Sequence, residues 1–253
     1  MVSEALIRWV VTSLLLGLRI GPAFALAPPF TLTRVPTQFR VFMALGLAGV
    51  LASSLPQDQW IQAFGAGDLL TAGARELLLG SIFALAFQVM FAGLYLVGRT
   101  VDIQAGFGLA MLIDPTTRGQ TPLVGTMLAY AAGAVFFAMN GHIELLRLLR
   151  ASVEAVPLAS GHAPTSLRPL TAFMSVVFMT SFGAAATAVL ALFLADVAIA
   201  LMSRTLPQMN VLILGLQVKT LLLLLILPAA IGGVGAVLAR LATLTLEAIP
   251  GLI

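Results

Sequence analysis

Six apolar runs leave this chain little choice but a bundle of membrane helices. They lie near Ala5–Ala25, Phe39–Leu55, Leu77–Val97, Leu123–Met139, Leu170–Ala195 and Val211–Leu241. A helix needs about 20 apolar residues to cross the hydrocarbon core of a bilayer, and each run approaches or exceeds that. Charge is too scarce for a water-covered surface: 9% of the residues are charged, against about 25% in soluble domains. A membrane β-barrel is excluded, because its strands are only ~10 residues long and alternate in polarity. The expectation is an all-α polytopic membrane protein with one domain over residues 1–253, since no linker or polar domain interrupts the runs.

Proline and glycine mark the connections at Pro22 with Pro28-Pro29, at Pro56, at Pro115 with Pro122, at Pro157 with Pro164 and Pro169, and at Pro207. The last run is expected to break near Pro228 and Gly232-Gly233. Ala23-Phe24-Ala25 mimics a signal-peptide cleavage site, but Arg19 interrupts the apolar region before it, so the segment reads as a retained first helix.

Between the third and fourth runs stands Gly98-Arg99-Thr100-Val101-Asp102-Ile103-Gln104-Ala105-Gly106-Phe107-Gly108-Leu109-Ala110-Met111-Leu112-Ile113-Asp114-Pro115. Apolar backbone with three glycines and no helical punctuation cannot lie bare in lipid, where each unpaired N–H or C=O costs several kcal/mol; it must be buried in protein or line a cavity. That predicts a pore constriction or a re-entrant segment. Asp114-Pro115 reads as a helix start, with a capping aspartate before a proline in the first helical position.

Charges inside the apolar runs need partners. Lys219 costs about 2.5–3.5 kcal/mol at mid-membrane. The Leu, Ile and Val residues around it each return about 0.3–0.6 kcal/mol, so the segment still inserts. Lys219 either snorkels near the end of its helix or is a paired charge inside an assembly, with Asp196 as a candidate partner. Arg99 and Asp102 share a helical face if the stretch is helical. Glu76 adjoins Arg75, and Arg19 sits late in the first run; these read either as water-facing pairs or as contacts to neighbouring subunits. Basic residues in alternate connections divide six (Arg8, Arg75, Arg147, Arg150, Arg168, Arg240) against five (Arg34, Arg40, Arg99, Arg118, Arg204). A simple serpentine across a bilayer would be asymmetric, so this chain is expected to be arranged otherwise.

The chain offers little for chemistry. Without cysteine it makes no disulfide, thiolate or Cys-ligated metal. Its two histidines, His142 and His162, have no metal-binding spacing. Neither a phosphate loop nor a nucleophile elbow occurs. The thirteen Lys and Arg are scattered singly, which argues against nucleic acid. No enzyme, cofactor or metal is expected. A stand-alone secondary transporter would want interrupted helices in two matching halves; one strong interruption with few polar ligands fits a gated, protein-conducting pore better. A scaffold without a pore is a third reading.

Five motifs then converge in order: Ala27-Pro28-Pro29-Phe30 with Arg34-Val35-Pro36; Glu76-Leu77-Leu78-Leu79-Gly80; Gly98 through Gln104-Ala105-Gly106 with Asp114-Pro115; Asn140-Gly141-His142; and Pro207-Gln208-Met209-Asn210 leading to Lys219. In this order and spacing the chain resembles the FliR/SctT family of type III export-gate proteins, flagellar and injectisome, over nearly its whole length. The resemblance implies helical hairpins contributing to a helical, cone-shaped gate raised largely out of the bilayer plane. It implies one copy of this chain with several copies of FliP and FliQ, with FlhB alongside, in the bacterial inner membrane at a flagellar basal body or injectisome base. Unfolded export substrates would pass through, driven by a partner ATPase and the proton gradient. It further implies that Gly106, Phe107, Gly108, Leu109, Ala110, Met111, Leu112, Ile113, Asp114 and Pro115 form a pore plug, and that Arg99, Asp102, Gln104, Asp196, Asn210 and Lys219 make charged and polar contacts inside the assembly. The nearly pure leucine stretch after Lys219 carries no transferable role.

Overall fold

A computed structural model describes residues 2–32, 35–56, 60, 66–107, 122–159, 168–205 and 210–252; for 2, 3, 66, 211, 212, 227–234 and 249–252 it describes the backbone alone. The described residues are helical, with no strand: α1 (Val2–Leu26), α2 (Thr37–Ser54), α3 (Ala66–Gln104), α4 (Leu123–Ala138), α5 (Gly141–Ala155), α6 (Arg168–Thr205) and α7 (Val211–Leu252). This is the all-α class that the runs predict. Four described helices, α1, α2, α3 and α6, are long and apolar enough to cross a membrane, and the bent pair α4 and α5 makes up to five.

Three expectations change. The third run is the middle of a helix that begins at Ala66 and runs to Gln104, so Gly98–Gln104 is helical rather than irregular. Gly98 is there because α4 comes so close that a Cβ would overlap the backbone of Gly125. The last run does not break at Pro228: helix continues from Val211 to Leu252. A proline removes one backbone donor, a loss that apolar helices tolerate when neighbouring groups compensate.

The chain divides into two compact units. The first comprises Met1–Val89, Phe136–Met174 and Ala242–Ile253. In it α1 and α2 form an antiparallel hairpin, with Trp9 Nε1 donating to Ser53 Oγ at 3.0 Å near one end and Arg40 Nη1 donating to the Ala25 carbonyl at 2.6 Å near the other. The Pro-Pro-Phe motif delivers Phe30 onto Phe24, ring centroids 4.6 Å apart, and edge-on to Phe136 and Phe137. Asn140-Gly141-His142 is the bend between α4 and α5. Asn140 takes the left-handed conformation (φ 59°, ψ 28°), which asparagine accepts more readily than most residues. A Cβ on Gly141 would overlap the Phe136 ring. After the bend, α5 turns Leu145, Leu149, Ser152 and Val153 inward, the spacing of one buried helical stripe.

The third change concerns charge. Glu76 does not work with Arg75. Its carboxylate takes a two-pronged ion pair from Arg19, with Nε to Oε2 at 2.5 Å and Nη2 to Oε1 at 3.0 Å. Both residues are 1% exposed. Arg19 Nη1 also donates to the Ser152 carbonyl at 2.9 Å, and the Ala159 N–H donates to Glu76 Oε1 at 3.3 Å. One turn beyond Glu76, Gly80 lies flat on the Arg19 carbonyl, where any side chain would overlap. The pair is therefore neither water-facing nor held out to a neighbouring subunit; it joins α1, α3 and α5 inside this unit.

Candidate functional site: the base of the loop between α3 and α4

The second unit, Met90–Val135 and Ser175–Leu241, carries both stems of the proposed plug. Val97, Val101, Ala105, Val124, Ala185, Leu192 and Leu223 form its buried core. On the α3 side the helix stops in a Schellman turn. Phe107 N–H donates to the Asp102 carbonyl at 3.0 Å and Gly106 N–H to the Ile103 carbonyl at 3.1 Å, the paired bonds that close a helix around a left-handed residue. That residue is Gly106, with φ +89°. Glycine here fixes a stop, since other residues would be strained in this conformation. Phe107 is half-buried and packs against the core.

On the α4 side the first helical N–H groups need acceptors, as at every helix start. Asp102 supplies them from across the stem: both of its carboxylate oxygens lie 3.2 Å from the Val124 N–H, and Asp102 is only 3% exposed. A carboxylate at a helix N-terminus also meets the positive end of the helix dipole. Gly98 against Gly125 brings the two backbones together one turn away. The end of α3 and the start of α4 are thus clamped to each other.

The remaining predicted residues fall out as follows. Lys219 forms an ion pair with Asp196, linking α7 to α6; the lysine side chain is 17% exposed and the aspartate 45%. Asn210 caps α7, its Oδ1 accepting from Ile213 N–H at 3.4 Å. Arg99 is exposed on α3 and is not ion-paired with Asp102, whose carboxylate faces α4 instead. Gln104 Oε1 is buried without a hydrogen-bond partner among the described residues. Gly108, Leu109, Ala110, Met111, Leu112, Ile113, Asp114 and Pro115, and the helix start expected at Asp114-Pro115, lie outside the described residues. Sequence reasoning missed the roles of Gly98, Gly125 and the Gly106 cap. The signal for the cap was present, a glycine following the last helical turn.

Removing the carboxylate tests the clamp. Asp102→Ala is expected to destabilise the first turn of α4 by about 1–2 kcal/mol, the usual cost of a lost helix cap. Amide exchange at Leu123–Thr126 should then quicken by about 5–30-fold, with Asp102→Asn between the two. Unchanged exchange in Asp102→Ala would show that the carboxylate does not hold the loop base.

Residues 10–244 match the family described as bacterial export proteins, family 1, and the chain belongs to that family. Among curated relatives, the flagellar biosynthetic protein FliR of Bacillus subtilis (strain 168) is 28% identical over 244 residues, covering 95% of this chain and 93% of the relative. FliR of Escherichia coli (strain K12) is 25% identical over 217 residues, covering 84% and 81%. The Yop proteins translocation protein T of Yersinia pestis is 30% identical over 156 residues, covering 60% of each chain. The resemblance carried by the ordered motifs is borne out. Together with its long apolar helices, this makes the chain a membrane-embedded bacterial export protein. None of the relatives' names denotes an enzyme.

Proposed function

We propose that this chain is the FliR-type subunit of a flagellar or injectisome export gate in the bacterial inner membrane. Residues 1–253 act as one export-gate domain, present once beside several copies of FliP and FliQ and next to FlhB. Unfolded substrates pass through the assembly, and the chain catalyses nothing itself. Its contribution to gating is the apolar loop between α3 and α4. Gly106 and Phe107 form the stem, and the segment from Gly108 to Pro115 is the plug proper. Leu109, Met111, Leu112 and Ile113 seal the pore by excluding water, and Met111 reshapes as a substrate passes.

The observation that carries this reading is the clamped base. The end of α3 and the start of α4, which flank the apolar segment, are both fixed to one buried core, so the segment between them can act without unravelling the helices that hold it. Membership of an export family over residues 10–244 supports the wider assignment.

Native mass spectrometry of the chain, co-expressed with its neighbouring membrane genes and extracted in mild detergent, tests it. The expected species holds one copy of this chain with several copies of two small hydrophobic partners. A lone monomer or homodimer, with the partners demonstrably expressed, would overturn the proposal and favour a stand-alone transporter.

A further inference from the structure

The hairpin of α1 and α2 carries an open apolar groove of about 460 Å³, walled by Leu14, Gly17, Gly21 and Ala25 of α1, Ala44 of α2 and Leu77 of α3. Gly21 and Ala25 open the depression, because they withhold the side chains that would fill it; the space over Gly17 is taken by the Leu45 side chain. From Leu14 to Leu26 the groove follows 13 residues of α1, about 18 Å over the 12 helical rises between them. Half of a ~30 Å hydrocarbon core is about 15 Å. The groove is therefore as long as one leaflet of lipid tails, on two helices that are each long and apolar enough to cross a membrane.

At the Ala25–Leu26 end stands Arg40. Its Nη1 donates to the Ala25 carbonyl at 2.6 Å and its Nη2 to Thr37 Oγ1 at 3.1 Å. Nε is buried with no acceptor among the described residues. A guanidinium has five N–H donors, so donors remain, and among the described residues no carboxylate forms an ion pair with Arg40. The same end holds the start of α2, which has no side-chain cap and no acidic residue in its first turn, leaving the positive end of its dipole uncompensated. A cationic head over an apolar trough one leaflet long is complementary to a single chemistry.

We propose that the groove between α1 and α2 binds an anionic phospholipid, its phosphate on Arg40 and one acyl chain lying along Ala25 and Gly21 towards Leu14. A partner helix fits less well. It would need an apolar wall across both leaflets, whereas this groove covers one and ends in a charge.

The full-length chain, purified in mild detergent with whatever proteins accompany it, is exchanged into phosphatidylglycerol or phosphatidylethanolamine of identical chains and examined by native mass spectrometry. One phosphatidylglycerol is expected to be retained per chain in preference to phosphatidylethanolamine. Arg40→Gln should reduce that preference about fivefold. Gly21→Leu should lower retention of both lipids about tenfold by filling the trough. A Cβ at Gly21 meets nothing within 4 Å, so the substitution starts into open space, and an unchanged thermal midpoint checks that the fold is kept. Retention unaffected by both substitutions would overturn the proposal. So would an Ala25→Cys variant that crosslinks to a co-purified protein, because the groove would then hold a subunit.

Discussion

Arg19→Ala is expected to cost the chain about 3–5 kcal/mol, the penalty for leaving one member of a buried ion pair alone. Against the 5–15 kcal/mol of a typical folded domain, that is a large share of the total and is expected to lower the protein's abundance in membranes several-fold. The geometry sets the size of the effect. The guanidinium meets Glu76 through two parallel bonds, the strongest form of a charge-assisted pair, and neither side chain reaches solvent. Without Arg19 the carboxylate keeps one backbone donor, Ala159 N–H, and the Ser152 carbonyl loses its guanidinium partner. Lysine cannot rescue this site, because an ammonium offers no planar fork. Replacing both charges, Arg19→Met with Glu76→Leu, should recover most of the loss, since apolar side chains of similar volume often substitute for a buried pair at little net cost. Thermal unfolding of the detergent-extracted protein and its abundance in membranes measure both effects. If the double variant is no more stable than the single, the penalty does not come from the orphaned carboxylate.

This pair also shows where sequence reading stops. Apolar run length makes helices legible, and Lys219 with Asp196 was nameable as a pair because two consecutive runs bring them within reach. Glu76 was read against its neighbour Arg75, although adjacent residues do not face each other on a helix. Its partner lies 57 positions earlier, a separation that local pattern does not encode. Helix ends were lost for a related reason. Hydropathy sees only Leu77–Val97 of α3, but the helix reaches from Ala66 to Gln104. Its terminal charges do not stop it, because Glu76 and Asp102 find partners elsewhere in the fold. Glycines carried the opposite ambiguity. Gly106 reads in sequence as one residue of the implied plug, yet its N–H and its φ of +89° lock a helix stop. Gly80 and Gly98 appear in sequence only as members of motifs, and are points of backbone contact. Of the candidate site, the apolar loop was legible as composition; the clamp at its base, made by Asp102 reaching a helix start 22 positions away, was not.

The clamp determines how the plug has to be tested. Deleting Gly106–Ile113 would remove the Schellman glycine and pull Phe107 from the core, so a leak could arise from a loosened helix pair. Deleting residues 108–113 leaves Gly106, Phe107 and the Asp102 cap in place and removes only the apolar residues that follow them. With partners co-expressed, that shorter deletion is expected to leave the assembly intact by native mass spectrometry and to take membrane ion permeability from background to an open-pore current. The reason is that an apolar constriction gates by refusing water, and ions follow once water is admitted. A plug built for sealing rather than for folding should have little effect on stability, so the thermal midpoint should stay near that of the intact chain. Leu109→Asp with Met111→Asp should leak as well, since carboxylates in the constriction hold water there. Polar substitution that leaks while assembly is preserved identifies dewetting as the seal. An assembled deletion variant that stays as tight as the intact chain would place the barrier elsewhere in the complex and end the assignment of a plug to this loop.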